Sequence, residues 1–146
     1  MCQAHNRCGS CRAPARLRRR RYCWHLCCLN YGWWAIARKE TPEHIIGFGG
    51  IAPLNYLTQR RINLGYRLAV EAWGQRYATE LGRDALALAF DALSLPEVFG
   101  LVRPDHAASI RVLEKLGMQR FGLLDDVPGQ APSLVLRVCH PTTAPT

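Results

Sequence analysis

Three features are scarce in this 146-residue sequence, and each scarcity argues against a class of protein. No uninterrupted apolar stretch reaches the roughly 20 residues that a membrane-spanning helix needs, so we expect no membrane partner. Only one cysteine, Cys139, lies beyond residue 28. A secreted disulfide scaffold would spread its cysteines through the fold that they cross-link. The distribution therefore favours a reducing, cytoplasmic setting.

Acidic residues are almost absent from the first 40 positions, where Glu40 stands against nine lysines and arginines. The remainder holds ten basic and ten acidic side chains, so the whole formal net charge of +8 comes from this first part. The arginines between Arg16 and Arg21 could bind nucleic acid electrostatically. The residues around these arginines show no pattern of a folded element that could present them to a nucleic acid. A solvated basic tail is therefore the favoured interpretation.

Residues 1–31 show no hydrophobic periodicity and are rich in arginine and cysteine. We predict a disordered segment at 1–31, a single domain at 32–139 and a tail at 140–146. One hypothesis is that a shifted reading frame encodes the first segment. Cys8 and Cys11 have the spacing of zinc ligands, which Cys23, Cys27 and a histidine could complete. A second close pair is missing, so we predict no metal.

From residue 33 onward the pattern is that of an α/β domain. Ile62, Leu64, Tyr66 and Leu68 alternate with more polar or smaller residues, which predicts a strand. Helices are predicted where apolar residues recur at intervals of three and four, and Gly117 is placed to end the second helix. The predicted strands are 33–38, 45–51, 62–68, 98–102, 118–123 and 133–138, the helices are 77–93 and 107–116, and 53–59 is a loop.

A glycine turn precedes the first predicted helix, at residues 74–78. Unpaired backbone amides and the helix dipole favour an anion at such a helix N-terminus, so a pyrophosphate could bind there. A tight connection between a strand and a helix explains the same glycine without any ligand. The turn alone therefore leaves both interpretations open.

Two longer motifs carry a resemblance to a known family. Residues 73–80 read Trp-Gly-Gln-Arg-Tyr-Ala-Thr-Glu and resemble the Trp-Gly-x-Gly-Tyr-Ala-Thr-Glu signature of the GNAT acetyltransferase superfamily. Residues 104–118 resemble the Pro-Glu-Asn-x-Ala-Ser-x-Arg-Val-Leu-Glu-Lys-Leu-Gly-Phe motif of its branch that contains the ribosomal-protein N-terminal acetyltransferases. The resemblance spans residues 33–138. It implies a mixed, mostly antiparallel sheet flanked by helices, here without the usual first strand and N-terminal helices.

The function that this resemblance implies is acetyl-CoA-dependent transfer of an acetyl group to a primary amine, within a ternary complex. The acceptor would be a protein N-terminus or a small-molecule amine, and a homodimer is left open. One alternative is a catalytically impaired acyl-CoA-binding remnant. Another is nucleic-acid binding through the basic tail.

The resemblance also implies roles for particular residues. Backbone amides of the turn would bind the pyrophosphate, and the preceding strand would pair with the pantetheine arm. Ser109, at the start of the second helix, is the candidate proton donor for the departing thiolate, and His106 stands where the family has asparagine. The expected cofactor contacts are Leu68, Val70, Gln75, Arg76, Tyr77, Ala78, Thr79, His106 and Ser109.

A catalytic base is needed because an alkylammonium ion has a reference pKa of about 10. Glu71 is the first candidate, and Asp125 and Asp126 are alternatives. The tyrosine that other GNAT branches use as an acid corresponds here to Leu113. Arg76 stands where the phosphate turn normally has glycine. It could prevent the required backbone angles, or its charge could help to hold phosphate.

Overall fold

The computed structural model describes residues 22–25, by their backbone alone, and residues 32–143. The zinc-like cysteine spacing and the run of arginines in segment 1–31 lie outside the described residues. Within the described part of the chain, no helix is long and apolar enough to cross a membrane.

The described residues form one seven-stranded sheet, with two α-helices packed on it. In chain order the elements are β1 (Tyr22–His25), β2 (Gly32–Arg38), β3 (Thr41–Tyr56), β4 (Gln59–Leu68), α1 (Tyr77–Ala87), β5 (Glu97–Val102), α2 (Ala107–Lys115), β6 (Gln119–Leu124) and β7 (Ser133–Cys139). The strand order is β1-β2-β3-β4-β5-β7-β6. Only β4 and β5 pair in parallel, so the predicted mixed, mostly antiparallel sheet is confirmed.

The structure differs from the sequence predictions at three places. The predicted loop 53–59 is mostly strand, because β3 continues to Tyr56 and only two residues connect it to β4. Pro53 lies beyond the last residue of β3 that pairs with β2, and proline is tolerated where a strand has a partner on one side only. The helix predicted over 77–93 is α-helical to Ala87 and continues as a π-helix over Leu88–Ala92. A strand also forms at Tyr22–His25, where the sequence pattern predicts none.

Both helices pack on the same face of the sheet, over a core of large apolar side chains. Trp34, Ile36 and Leu64 contribute from the strands, and Leu81 and Leu113 contribute from the helices. Helix α1 can approach α2 closely because position 82 is glycine: a Cβ atom there would overlap the Leu116 side chain. The core therefore fixes the starts of both helices relative to β4.

The two parallel strands separate soon after they meet, since β4 and β5 share a single paired position, Asn63 with Phe99. The Asn63 side chain is 9% exposed, and its Oδ1 accepts hydrogen bonds from Tyr56 Oη at 2.5 Å and from the Leu101 amide at 3.2 Å. The Asn63 side chain of β4 thus accepts the hydrogen bond of the Leu101 amide in β5, in place of a backbone carbonyl of β4. Beyond Asn63 the strands diverge and leave room beside the carboxyl end of β4.

Candidate cofactor site

The turn between β4 and α1 closes despite its arginine. Arg76 is the N-cap of α1 and has φ 67° and ψ 9°, the left-handed conformation that glycine adopts without steric cost. Gly74, two residues earlier, has φ 70°. The Arg76 side chain makes no capping hydrogen bond to the helix. The α1 N-terminus therefore has the backbone of an anion-binding turn, and arginine adopts it under strain.

A cavity of about 540 Å³ lies beside this turn, between the end of β4 and the starts of α1 and α2. Six of the predicted cofactor contacts line it: Leu68, Arg76, Tyr77, Ala78, His106 and Ser109. Val70, Gln75 and Thr79 are not among the lining residues. Val70 is 72% exposed, and the Gln75 side chain turns back to donate to the Glu71 carbonyl at 2.7 Å. Two motifs that are separated by 23 residues of chain thus form one site.

The charge of the cavity is of one sign. Arg67, Arg76, Arg111 and Lys115 line it, and no carboxylate does. All four cations are exposed, so they surround the mouth rather than the floor. Cationic side chains beside a helix N-terminus favour phosphate groups, which coenzyme A carries at one end of an elongated molecule. The donor set therefore fits acetyl-CoA, with its phosphates at the mouth.

The lining residues that are not exposed are all neutral, and three of them, Tyr66, Tyr77 and Ser109, carry hydroxyl groups. Tyr66 of β4 lines the cavity together with Ser109 of α2. Burial raises the pKa of Tyr66, and a hydrogen bond with the Ser109 side chain lowers it by a smaller amount. Sequence reasoning did not select Tyr66, although its alternation with Leu64 and Leu68 already placed it on the same strand face as Leu68. Leu113, by contrast, is buried in the core.

Two side chains to which the sequence assigned no role hold the turn. The Trp73 indole donates to the Leu68 carbonyl at 3.0 Å. Arg38 of β2 donates from Nε to Tyr77 Oη at 3.2 Å, and from Nη2 to the Glu71 carbonyl and Gln75 Oε1, each at 3.4 Å. These contacts connect the end of β2 to both sides of the turn. Arg38 therefore has the geometry of a positioning residue for the phosphate turn.

Glu71 lies outside the lining of the cavity and pairs with a histidine of β3. Its Oε1 makes a short contact with His44 Nε2. The hydrogen bond from His44, followed by the charge of that ring, lowers the pKa of Glu71, while desolvation acts weakly in the opposite sense. Of the alternative bases, Asp126 pairs with Arg103 at 3.7 Å. Glu71, the first candidate base, is thus not among the residues that line the cavity with Ser109.

Comparison with known proteins agrees with the geometry. The model of a family described as "Acetyltransferase (GNAT) domain" matches residues 9–119. The chain belongs to the GNAT acetyltransferase family. The match begins inside segment 1–31, and the structure of most of that segment lies outside the described residues.

Two relatives of this GNAT chain carry acetyltransferase names. It is 36% identical over 93 residues to the uncharacterized N-acetyltransferase YoaA of Bacillus subtilis. The aligned residues cover 62% of this chain and 50% of YoaA. It is 33% identical over 87 residues to the FsC-acetyl coenzyme A-N(2)-transacetylase of Aspergillus fumigatus. The aligned residues cover 60% of this chain and 33% of that protein. The chain spans about half the length, or less, of these curated relatives.

The fold of this GNAT chain is also found in solved structures. A ribosomal-protein-S5-alanine acetyltransferase from Vibrio fischeri superimposes with a TM-score of 0.66 at 18% identity, over 79% of this chain and 64% of the other. At that identity the likeness concerns the fold.

Proposed function

We propose that this chain transfers an acetyl group from acetyl-CoA to a primary amine, directly and within a ternary complex. The observation that carries the proposal is the polarity of the cavity, whose exposed lining includes four cations and a helix N-terminus, while its less exposed lining is neutral and includes three hydroxyl-bearing residues. An elongated ligand with phosphates at one end and a neutral acyl group at the other matches that order.

The residues would divide the work as follows. The amides at the start of α1 and the side chain of Arg76 would hold the pyrophosphate. The end of β4, from Leu68 towards Val70, would pair with the pantetheine arm through its backbone. Bound acetyl-CoA supplies an acyl group activated as a thioester. As the amine nitrogen bonds to the acyl carbon and the carbon–sulfur bond breaks, Ser109 would give a proton to the departing sulfur, and solvent would restore it.

For the base, we propose that Glu71 acts together with His44. The lowered pKa of Glu71 keeps its carboxylate ionised at neutral pH, where it can orient the imidazole. A histidine side chain is suited to accept a proton from an ammonium ion near neutral pH. Asp125 and Asp126 are the alternatives. If the pair acts, Glu71→Gln and His44→Ala should each change the pH profile of kcat/KM, and an unchanged profile in both variants would eliminate it.

The acceptor is proposed as a small-molecule amine or a protein N-terminus. The names of the relatives support both, since one is an N(2)-transacetylase and another acts on a ribosomal protein. Calorimetry with acetyl-CoA, followed by release of free thiol across a panel of amines and N-terminal peptides, tests the reaction and sorts the acceptors. No binding at millimolar acetyl-CoA would refute the proposal.

The second candidate is an acyl-CoA-binding protein with impaired catalysis. It is favoured by one observation, the bulky Arg76 side chain that lines the cavity at the N-cap of α1. Binding of acetyl-CoA without thiol release for any acceptor would support it. Nucleic-acid binding through the basic tail predicts an affinity that falls steeply with salt and is lost on deletion of residues 1–21. Sedimentation of the purified chain tests the homodimer.

A further inference from the structure

One side chain of β2 contacts the phosphate turn on both sides of Arg76. Arg38 donates from Nε to Tyr77 Oη at 3.2 Å, and its Cζ lies 5.9 Å from the centre of the Tyr77 ring. From Nη2, Arg38 donates to the Glu71 carbonyl and to Gln75 Oε1, each at 3.4 Å. Gln75 donates in turn to the same Glu71 carbonyl at 2.7 Å. A single guanidinium group therefore connects the two arms of the turn.

The groups at both ends of this connection are fixed by the fold. The backbone of Arg38 pairs with Thr41 of β3 on one side and with Tyr22 of β1 on the other. Tyr77, the first residue of α1, is 5% exposed and belongs to the core. A planar guanidinium has several donors in a fixed fork, so it can serve these acceptors at the same time. Arg38 thus ties the turn to the sheet.

The conformation of Arg76 explains why the turn needs this support. Arg76 has φ 67° and ψ 9°, which is costly for an L-residue, and its side chain makes no capping hydrogen bond. Strain of this kind favours an open turn, whereas only the closed turn presents the amides at the start of α1 to a phosphate group. The apparent affinity for phosphate then falls with the fraction of molecules in which the turn is closed.

We propose that Arg38 is a positioning residue that keeps the turn closed around phosphate and so permits arginine at position 76. The inference rests on the proposed function and adds to it a residue that acts through Gln75 and Tyr77, since Arg38 is absent from the described lining of the cavity. Two consequences follow. Use of a donor with phosphate groups should depend on Arg38, and this dependence should be stronger with arginine than with glycine at position 76.

The choice of acetyl donor distinguishes this role from a general effect on folding. S-acetylpantetheine has the same thioester as acetyl-CoA but lacks the phosphate groups. Arg38→Met removes the guanidinium and keeps most of the stem. Its kcat/KM for acetyl-CoA should fall about 5- to 10-fold, because three hydrogen bonds to the turn are lost. Its kcat/KM for S-acetylpantetheine should change less than about twofold. An equal fall for both donors would overturn the inference, and the ratio of the two values does not depend on the amount of folded enzyme.

Two further variants separate the hydrogen bonds from the charge. Lys39, the next residue, is exposed and makes none of these contacts. Lys39→Met removes a positive charge from almost the same place and should keep the wild-type ratio of the two donors. Arg38→Lys keeps the charge but not the planar fork, so it should behave like Arg38→Met. If Arg38→Lys keeps the wild-type ratio, the charge alone accounts for the effect and the inference is wrong.

The residue at position 76 provides a second test. Arg76→Gly removes the strain, so in that background Arg38→Met should weaken acetyl-CoA binding by less than about threefold, compared with about 5- to 10-fold when Arg76 is present. Calorimetry on the four proteins of this double-mutant cycle measures the difference. Equal losses of affinity in the two backgrounds would show that Arg38 does not permit arginine at position 76.

A measurement without cofactor separates the inference from the proposed function. Trypsin cleaves after arginine, and cleavage within a folded protein follows the population of the open form. Cleavage after Arg76, identified by peptide mass, should be about fivefold faster in Arg38→Met than in the wild type or Lys39→Met. Unchanged cleavage would refute the inference, whether or not acetyl-CoA binds. A wild type that does not bind acetyl-CoA would refute the proposed function, and faster cleavage in Arg38→Met would still support Arg38 as the residue that closes the turn.

Discussion

Replacing Arg76 by glycine should stabilise the fold. Arg76 has φ 67° and ψ 9°, and its side chain makes no capping hydrogen bond that would compensate. An L-residue in this conformation costs roughly 1–2 kcal/mol, and glycine removes that strain. Glycine also gains freedom in the unfolded chain, which offsets roughly 0.5–1 kcal/mol of the benefit. The net expectation for Arg76→Gly is a gain of about 0.5–1 kcal/mol, or a rise in Tm of roughly 2–4 °C.

The effect on cofactor binding combines two opposing changes, so the design needs a second variant. Glycine lets a phosphate group approach the backbone closely, whereas loss of the guanidinium removes a charged donor. Arg76→Ala removes the charge but keeps the Cβ atom and the strain. The difference in acetyl-CoA affinity between the glycine and alanine variants therefore measures the effect of backbone strain and of the close approach of phosphate. The difference in affinity between the wild type and the alanine variant measures mainly the effect of the charge.

Thermal unfolding and acetyl-CoA calorimetry at two salt concentrations distinguish these contributions. The glycine variant should be more stable than the alanine variant by about 1 kcal/mol and should bind acetyl-CoA roughly fivefold more tightly. Wild-type affinity should fall more steeply with salt than that of either variant, because only the wild type retains the charge. A glycine variant no more stable than the alanine variant would refute the strain argument.

Three further predictions concern stability. Asn63→Leu should cost about 2–4 kcal/mol in urea unfolding, because the Tyr56 hydroxyl and an amide of β5 both lose their acceptor, and a cost below 1 kcal/mol would contradict this. Leu57 is exposed with φ 55° in the two-residue β3–β4 connection, so Leu57→Gly should raise stability by roughly 0.5–1 kcal/mol, and any loss would count against it. Because its pairing with His44 lowers the pKa of Glu71, that contribution to stability is present above the unfolded pKa and is lost as pH falls through the lower, folded pKa. Glu71→Gln should therefore reduce the acid dependence of Tm, and parallel curves for variant and wild type would be inconsistent with the pairing.

Much of the fold is predictable because its signals are local. Alternation at Leu64, Tyr66 and Leu68 depends only on the period of a strand, and β4 was predicted to within three residues at its start. Helix starts at Tyr77 and Ala107 follow from short motifs, and the structure has both. The loop predicted at 53–59 is wrong because a partner strand, rather than the local sequence, extends β3 past Pro53.

The sequence by itself determined the family, the order of most elements and the turn in which Arg76 replaces glycine. Only the tertiary structure decided which side chains meet. Arg38 reaches Glu71 and Tyr77 across more than 30 residues of chain, and Tyr66 lies beside Ser109 because β4 and α2 border one cavity. Backbone conformation depends on neighbours in sequence, whereas such contacts depend on sheet register and helix packing, which emerge only when the chain has folded.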